Sequence, residues 1–120
     1  MRRRFPQFTY QRAKGSPTWI GTLQPDPDFP LYLVKVTFCP PKAPRVYVIA
    51  PPLRHDAPHH YADGSLCLYY PPDGSWSCRR FIADTIVPWA AYWLVCYTLW
   101  VPTGEWFGPE APHARRKRLN

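Results

Sequence analysis

In LYLVKVTF, residues 31–38, two sets of side chains interleave: Leu31, Leu33, Lys35 and Thr37 on one, Tyr32, Val34, Val36 and Phe38 on the other. A period of two puts each set on its own face of an extended chain, and the β-branched and aromatic content suits a half-buried strand. Neighbouring segments read the same way. SPTWIGTL (16–23) is a strand ended by the proline-rich QPDPDFP, and RVYVIA (45–50) is one bracketed by CPPKAP and PPL. SLCLYY (65–70) is a possible fourth, after the turn ADG. Consecutive strands joined by short turns predict an antiparallel meander.

After ADTIV the period changes. Trp89, Trp93, Cys96 or Tyr97, and Trp100 recur at helical spacing, with Pro88 suited to a first helical position and Pro102 and Gly104 to stop the helix before VPTGEW. Residues 81–101 carry one charge, Asp84, which raises the question of a membrane span. Asp84 and Pro88 divide the stretch, and the part beyond Pro88 makes about 20 Å of helix where a bilayer core needs ~30 Å. A buried core helix is predicted, and no membrane partner. Strands first and a helix last give the class α+β.

The length, 120 residues, allows one small domain with one core. Six Trp, eight Tyr and six Phe argue against disorder despite 17 Pro. The net charge of +7 invites a nucleic-acid reading until its distribution is drawn. Nine of the fifteen basic residues sit at the ends, Arg2, Arg3, Arg4, Arg12 and Lys14 in front and Arg115, Arg116, Lys117 and Arg118 behind, while all eight acids lie between. The chain therefore divides into a basic segment 1–14, a domain 15–112 and a basic tail 113–120. Tails of this kind keep a protein soluble or meet an acidic partner, so a nucleic-acid partner is not expected and a basic nucleic-acid-binding module stands only as an alternative. No apolar run follows MRRR, so no secretory signal is read and a cytoplasmic location is expected, with the four cysteines as thiols.

HHYADGSLCLYY (59–70) is the stretch where chemistry gathers. If it is extended, Leu66 and Leu68 share one face and anchor it while Cys67 points to the other, facing out. A nucleophilic cysteine needs access, a route to thiolate and a stabilised intermediate; a structural one needs only an apolar pocket. Both readings stay open on the residues alone. No Cys-x2-Cys pair accompanies the histidines, and His59 and His60 are adjacent with Cys67 after six intervening residues and Cys78 after ten more, which is not the spacing of a closed zinc site, so no metal is predicted. Neither Gly-x-Ser-x-Gly nor a nucleotide-binding glycine motif is present, so no cofactor is predicted either. Cys39, Cys78 and Cys96 read as structural, Cys96 above all because it lies on the apolar helix.

The order of these features resembles the ubiquitin-conjugating enzymes, which carry Pro-Pro before a strand, then His-Pro-Asn, then Gly-x-Ile/Leu-Cys-Leu, then a Trp. Here CPPKAPRVYV, APHHYADGSLCL and GSWS follow in that order, aligning Pro58, Gly64, Cys67 and Trp76. The chain is more closely similar to the divergent bacterial versions found in anti-phage CBASS operons. The landmarks are Trp19, Gly21 and Leu23, Pro44 and Val46, Pro58 to Tyr69, Trp76, Thr85 to Trp100, and Thr103 to Gly108, together covering about residues 17–110. Departures are specific: His59 stands where the eukaryotic motif has Asn, Ala57 where it has His, and Thr98 where bacterial relatives often have Glu. Residues 1–15 show no counterpart of the eukaryotic amino-terminal helix.

The resemblance implies a ubiquitin-conjugating-enzyme-like fold, a meander of about four strands followed by a buried central helix. It implies Cys67 as the acyl-carrying nucleophile, forming a thioester with the C-terminal glycine of a partner cyclic-nucleotide synthase (CD-NTase) and so regulating it. His59 would then supply an imidazole N–H to the oxyanion, and His59 and His60 are the nearby groups for aiding Cys67, as oxyanion donor or as base for an incoming amine. Pro58, Tyr61, Gly64 and Trp76 would support the site. An alternative from another class is a non-catalytic adaptor that keeps the fold and binds the synthase or a ubiquitin-like tail.

Overall fold

The computed structural model describes residues 4–39, 42–68, 82 and 85–108. Four strands, β1 (Thr9–Ala13), β2 (Ser16–Leu23), β3 (Tyr32–Thr37) and β4 (Arg45–Ala50), form one antiparallel sheet in chain order, and α1 (Ile86–Thr103) follows. The class is α+β, as expected, and the architecture is consistent with a ubiquitin-conjugating-enzyme-like fold.

The alternation in residues 31–38 holds. Tyr32, Val34 and Val36 are buried, while Leu33, Lys35 and Thr37 are half-buried on the other face. Across the sheet Leu23 pairs with Tyr32, Gly21 with Val34 and Trp19 with Val36, and on the far side Val46 and Val48 pair with Val36 and Val34. Paired residues share a face, so this set makes the apolar floor on which α1 rests. A register shift between Leu33 and Val34 passes over Ile49, which is left exposed.

The membership of the sheet differs from the expectation in two places. Residues 65–68 do not form a strand: Leu66 makes a single antiparallel bridge with His60, and Tyr69 and Tyr70 lie outside the described residues. The fourth strand is β1, TYQRA, within the segment whose charge alone had stood out. Its polar sequence hides it, because its pairing with β2 is made by the main chain. The connection is Lys14-Gly15, both at positive φ (51° and 79°), the conformation a two-residue hairpin requires. Just before β1, Phe8 is buried against Gly21: a Cβ there would lie 2.6 Å from Phe8 Cγ and 2.7 Å from Phe8 Cα.

The helix begins two residues earlier than predicted. Thr85 is its N-cap, the Trp89 N–H donates to the Thr85 oxygen at 2.9 Å, and Pro88 sits inside the first turn, where its missing N–H costs nothing. It also runs further, through Pro102 to Gly104, whose φ of 74° closes it with a 2.7 Å bond to the Trp100 oxygen. Trp93, Cys96 and Tyr97 are buried, with Trp89 and Trp100 partly so. Tyr32 and Thr98 hydroxyls meet at 2.8 Å, tying helix to sheet. Among the described residues no helix is long and apolar enough to cross a membrane.

Candidate active site

Leaving β4, the chain crosses toward the helix. The Arg54 N–H donates to the Tyr97 hydroxyl at 2.9 Å, and Ala57 is buried. Past Pro58, which is half-buried, it reaches His59, a buried residue at φ 60°. A non-glycine residue in the left-handed region is uncommon and is held there by its surroundings. The holding is visible: the His59 oxygen accepts from Trp93 Nε1 at 3.0 Å and from the Cys67 N–H at 2.8 Å, and its ring packs on Trp106 at 4.8 Å.

From His59 the chain folds back on itself. The Tyr61 N–H donates to the Ser65 oxygen at 2.8 Å and the Gly64 N–H to the Tyr61 oxygen at 2.9 Å. Gly64 has φ 90°, which fits glycine at the end of this turn. Asp63 fastens the turn. Its Oδ1 accepts from the Ser65 N–H (2.9 Å) and hydroxyl (2.6 Å), and its Oδ2 takes the Arg45 guanidinium and the Tyr47 hydroxyl. These donors, Ser65 first, hold the Asp63 carboxyl well below the usual range, at about 2. The Leu66 N–H donates to the Val46 oxygen at 2.9 Å, so the loop is laced to β4 on one side and to α1 through His59 on the other.

Cys67 sits at the end of this lacing. Its Sγ lies 3.5 Å from the Tyr61 hydroxyl, and the residue is 9% exposed. The expectation that the leucines anchor and the thiol faces out is corrected in part: Leu66 is buried, but so is Cys67, and Leu68 is only half-buried. The reason is that the segment is a loop folded against His59 and Tyr61, not one free strand with a solvent face. His60 is half-buried, and its Nδ1 is buried with no hydrogen-bond partner among the described residues.

The structure thus gathers Cys67, His59, His60, Tyr61, Gly64 and Pro58 on one loop. Trp76 and Cys78 lie outside the described residues, as do Arg2, Arg3 and the basic tail 113–120. Residues that the sequence did not assign to the site hold the loop: Arg45, Tyr47 and Ser65 around Asp63, and Trp93 and Trp106 around His59. Trp106 stood in a family landmark, TG-x-W-x-G, without a role; Gly108 in the same landmark lies so close to Cys96 that a Cβ would be 2.6 Å from its Sγ. Cys96 is buried on α1, and burial pushes its thiol pKa up, which suits an inert core residue. Cys39 is an exposed free thiol.

Beside the loop lies a cleft of about 450 Å³, lined by Lys42, Pro44, Arg45, Tyr61, Leu66 and Leu68 among others. Among the described residues no three His, Cys, Asp or Glu side chains converge on a metal position. A family model described as type II CBASS E2 protein matches residues 1–114. No curated protein matches the chain.

Proposed function

The chain belongs to the family of type II CBASS E2 proteins, and on that premise we propose that Cys67 is the acyl carrier of a ubiquitin-conjugating-enzyme-like reaction in anti-phage defence. The family gives the chain its association with CBASS components and the build of a conjugating enzyme. The finer reading is that the Cys67 sulfur forms a thioester with the C-terminal glycine of a CD-NTase and passes the acyl group to an amine or to water, regulating the synthase. The observation that carries it is the lacing of the Cys67 loop: a cysteine serving only as a small core residue needs no turn fastened to both β4 and α1.

Within this reading the motif assigns the roles, with one main-chain bond in support. The Cys67 main-chain N–H is committed to the His59 oxygen, which supports an oxyanion that draws on side-chain donors, and the donor in this reading is His59, which aligns with the eukaryotic Asn. His60 serves as base for the incoming amine. A free thiol is only a few per cent thiolate near neutral pH, which suffices for thioester exchange without a strong base.

One observation favours a second reading. Cys67 is 9% exposed, as a core residue would be, and a non-catalytic adaptor that binds the synthase tail would look the same. The two separate in a trapping experiment. The chain is co-expressed with the CD-NTase encoded beside it, and complexes are run on non-reducing gels for wild type, Cys67→Ala and Cys67→Ser. Acyl transfer gives a thiol-sensitive adduct in wild type, none in the Ala variant and a thiol-resistant ester in the Ser variant. One unchanged complex in all three leaves the adaptor.

A further inference from the structure

Tyr61 belongs to the turn that precedes the candidate nucleophile. That turn is closed by main-chain bonds and by Asp63, and the residue is 37% exposed, so its ring is not part of the core. Yet its hydroxyl meets the Cys67 sulfur, at 3.5 Å, with the thiol donating. Tyr61 also lines the cleft, so the residue that meets the buried thiol borders open space as well.

We propose that the Tyr61 hydroxyl is a catalytic group that hydrogen-bonds the Cys67 sulfur in both of its charge states, an inference that takes the acyl-carrier reading above as its premise. In the resting site the S–H donates to the phenol oxygen. When the thiol loses its proton to water, the phenol O–H turns and donates to the thiolate. In acyl release the amine nitrogen attacks the thioester carbonyl, the C–N bond forms, the C–S bond breaks, and the electron pair goes to sulfur. The departing thiolate is received by the Tyr61 O–H, and the proton of the new ammonium passes to His60, the base in the reading above, and from there to water. Tyr61 keeps its own proton throughout, so it acts as a donor and not as an acid.

The test is Tyr61→Phe, which keeps the ring and removes only the hydroxyl. The rate of Cys67 alkylation by iodoacetamide is followed across pH, with peptide-resolved mass spectrometry separating Cys67 from the other three cysteines. Losing the bond lowers the thiolate fraction but leaves each thiolate more nucleophilic, the second effect recovering somewhat under half of the first on a logarithmic scale. The variant is therefore about threefold slower at pH values where the thiol is mostly protonated and about threefold faster on the high-pH plateau, and the two curves cross. Coincident curves, or a variant faster at every pH because the sulfur has merely been uncovered, overturn the proposal. The thioester gel is run on the same proteins. Absence of an adduct in wild type sinks the acyl-carrier reading and with it the proposed release step, whereas an adduct in wild type with no crossing of the alkylation curves sinks the Tyr61 role alone. An adduct with crossing curves and slower single-turnover discharge in Tyr61→Phe supports both.

Discussion

Trp93 reaches from the middle of α1 to the active loop: its Nε1 donates at 3.0 Å to the main-chain oxygen of His59, the same oxygen that receives the Cys67 N–H at 2.8 Å. One carbonyl therefore ties the helix, the left-handed residue and the candidate nucleophile together. Trp93 is itself clamped, stacked on Tyr97 at 5.4 Å and edge-on to Trp106 at 5.2 Å. Replacing it with Phe removes the N–H and leaves a small void. A loss of about 2 kcal/mol in urea denaturation is expected, from one hydrogen bond and a partial cavity. Cys67 should also alkylate faster than in wild type, because the loop opens more often. An unchanged alkylation rate would show that Trp93 supports the core but not the loop.

His59 offers a separation of backbone from side chain. At φ 60° any residue with a Cβ is strained, and glycine is not. His59→Gly and His59→Ala lose the same contact with Trp106, so their difference isolates the backbone term. Glycine should be the more stable by about 1 kcal/mol in the same denaturation assay, against its normal disadvantage in the unfolded chain. Alanine equal to or above glycine would mean that the loop relaxes out of the left-handed region.

Much of this was legible because the relevant signals are local. The limits of β2 and β4 coincide with the sequence reading, since prolines and turn residues mark their ends, and β3 falls within one residue of its predicted span at each end. The start of α1 was misplaced because proline is accommodated throughout a first turn, so Pro88 did not identify one position. β1 was not seen because TYQRA has no apolar alternation; it is held by pairing to β2, a non-local property. In the site, Cys67, His59, Tyr61 and Gly64 were legible as a motif within nine residues. The contacts of Asp63 with Arg45 and Tyr47, or of His59 with Trp106, depend on where distant strands and the segment after α1 come to lie. Which way the Cys67 thiol faces was not legible for the same reason: alternation along a strand says nothing of a loop folded against its own residues.

Gly21 is a place where a family landmark gains a physical reason. An added Cβ would meet not only the Phe8 ring but the Phe8 Cα at 2.7 Å and the Gln7 oxygen at 2.8 Å, and backbone cannot step aside as a side-chain tip can. Gly21→Ala should therefore push the chain before β1 off the sheet and cost about 3 kcal/mol. Limited trypsin digestion reads this directly, because cleavage at Arg12 and Lys14 should rise well before the rest of the domain opens. A variant with wild-type stability and no new cleavage there would refute the close packing of Phe8 on Gly21.

Asp63 makes acid the sharpest probe of the loop. A carboxyl held at about 2 in the folded protein against 3.8 in its absence favours folding whenever it is ionised. The sign follows from the proton count: between these values the unfolded chain binds the proton and the folded chain does not, so stability falls with falling pH. The contribution is complete above about pH 4, and it declines as the pH drops toward 2. Asp63→Asn removes this dependence. The amide cannot carry the charge that the Arg45 guanidinium meets and has one acceptor oxygen for four donors, so the variant should melt lower at pH 7 and lose less than wild type between pH 4 and pH 2. Because the Arg45 and Asp63 side chains are 49% and 40% exposed, salt should narrow the gap at pH 7. The bonds to the Ser65 N–H and hydroxyl, which dominate the shift, are short-range and should leave most of it in place. Melting curves of both proteins at several pH values, with and without salt, decide the matter. Parallel losses in wild type and Asp63→Asn would mean that another carboxyl governs acid unfolding and that the turn at Cys67 stands without Asp63.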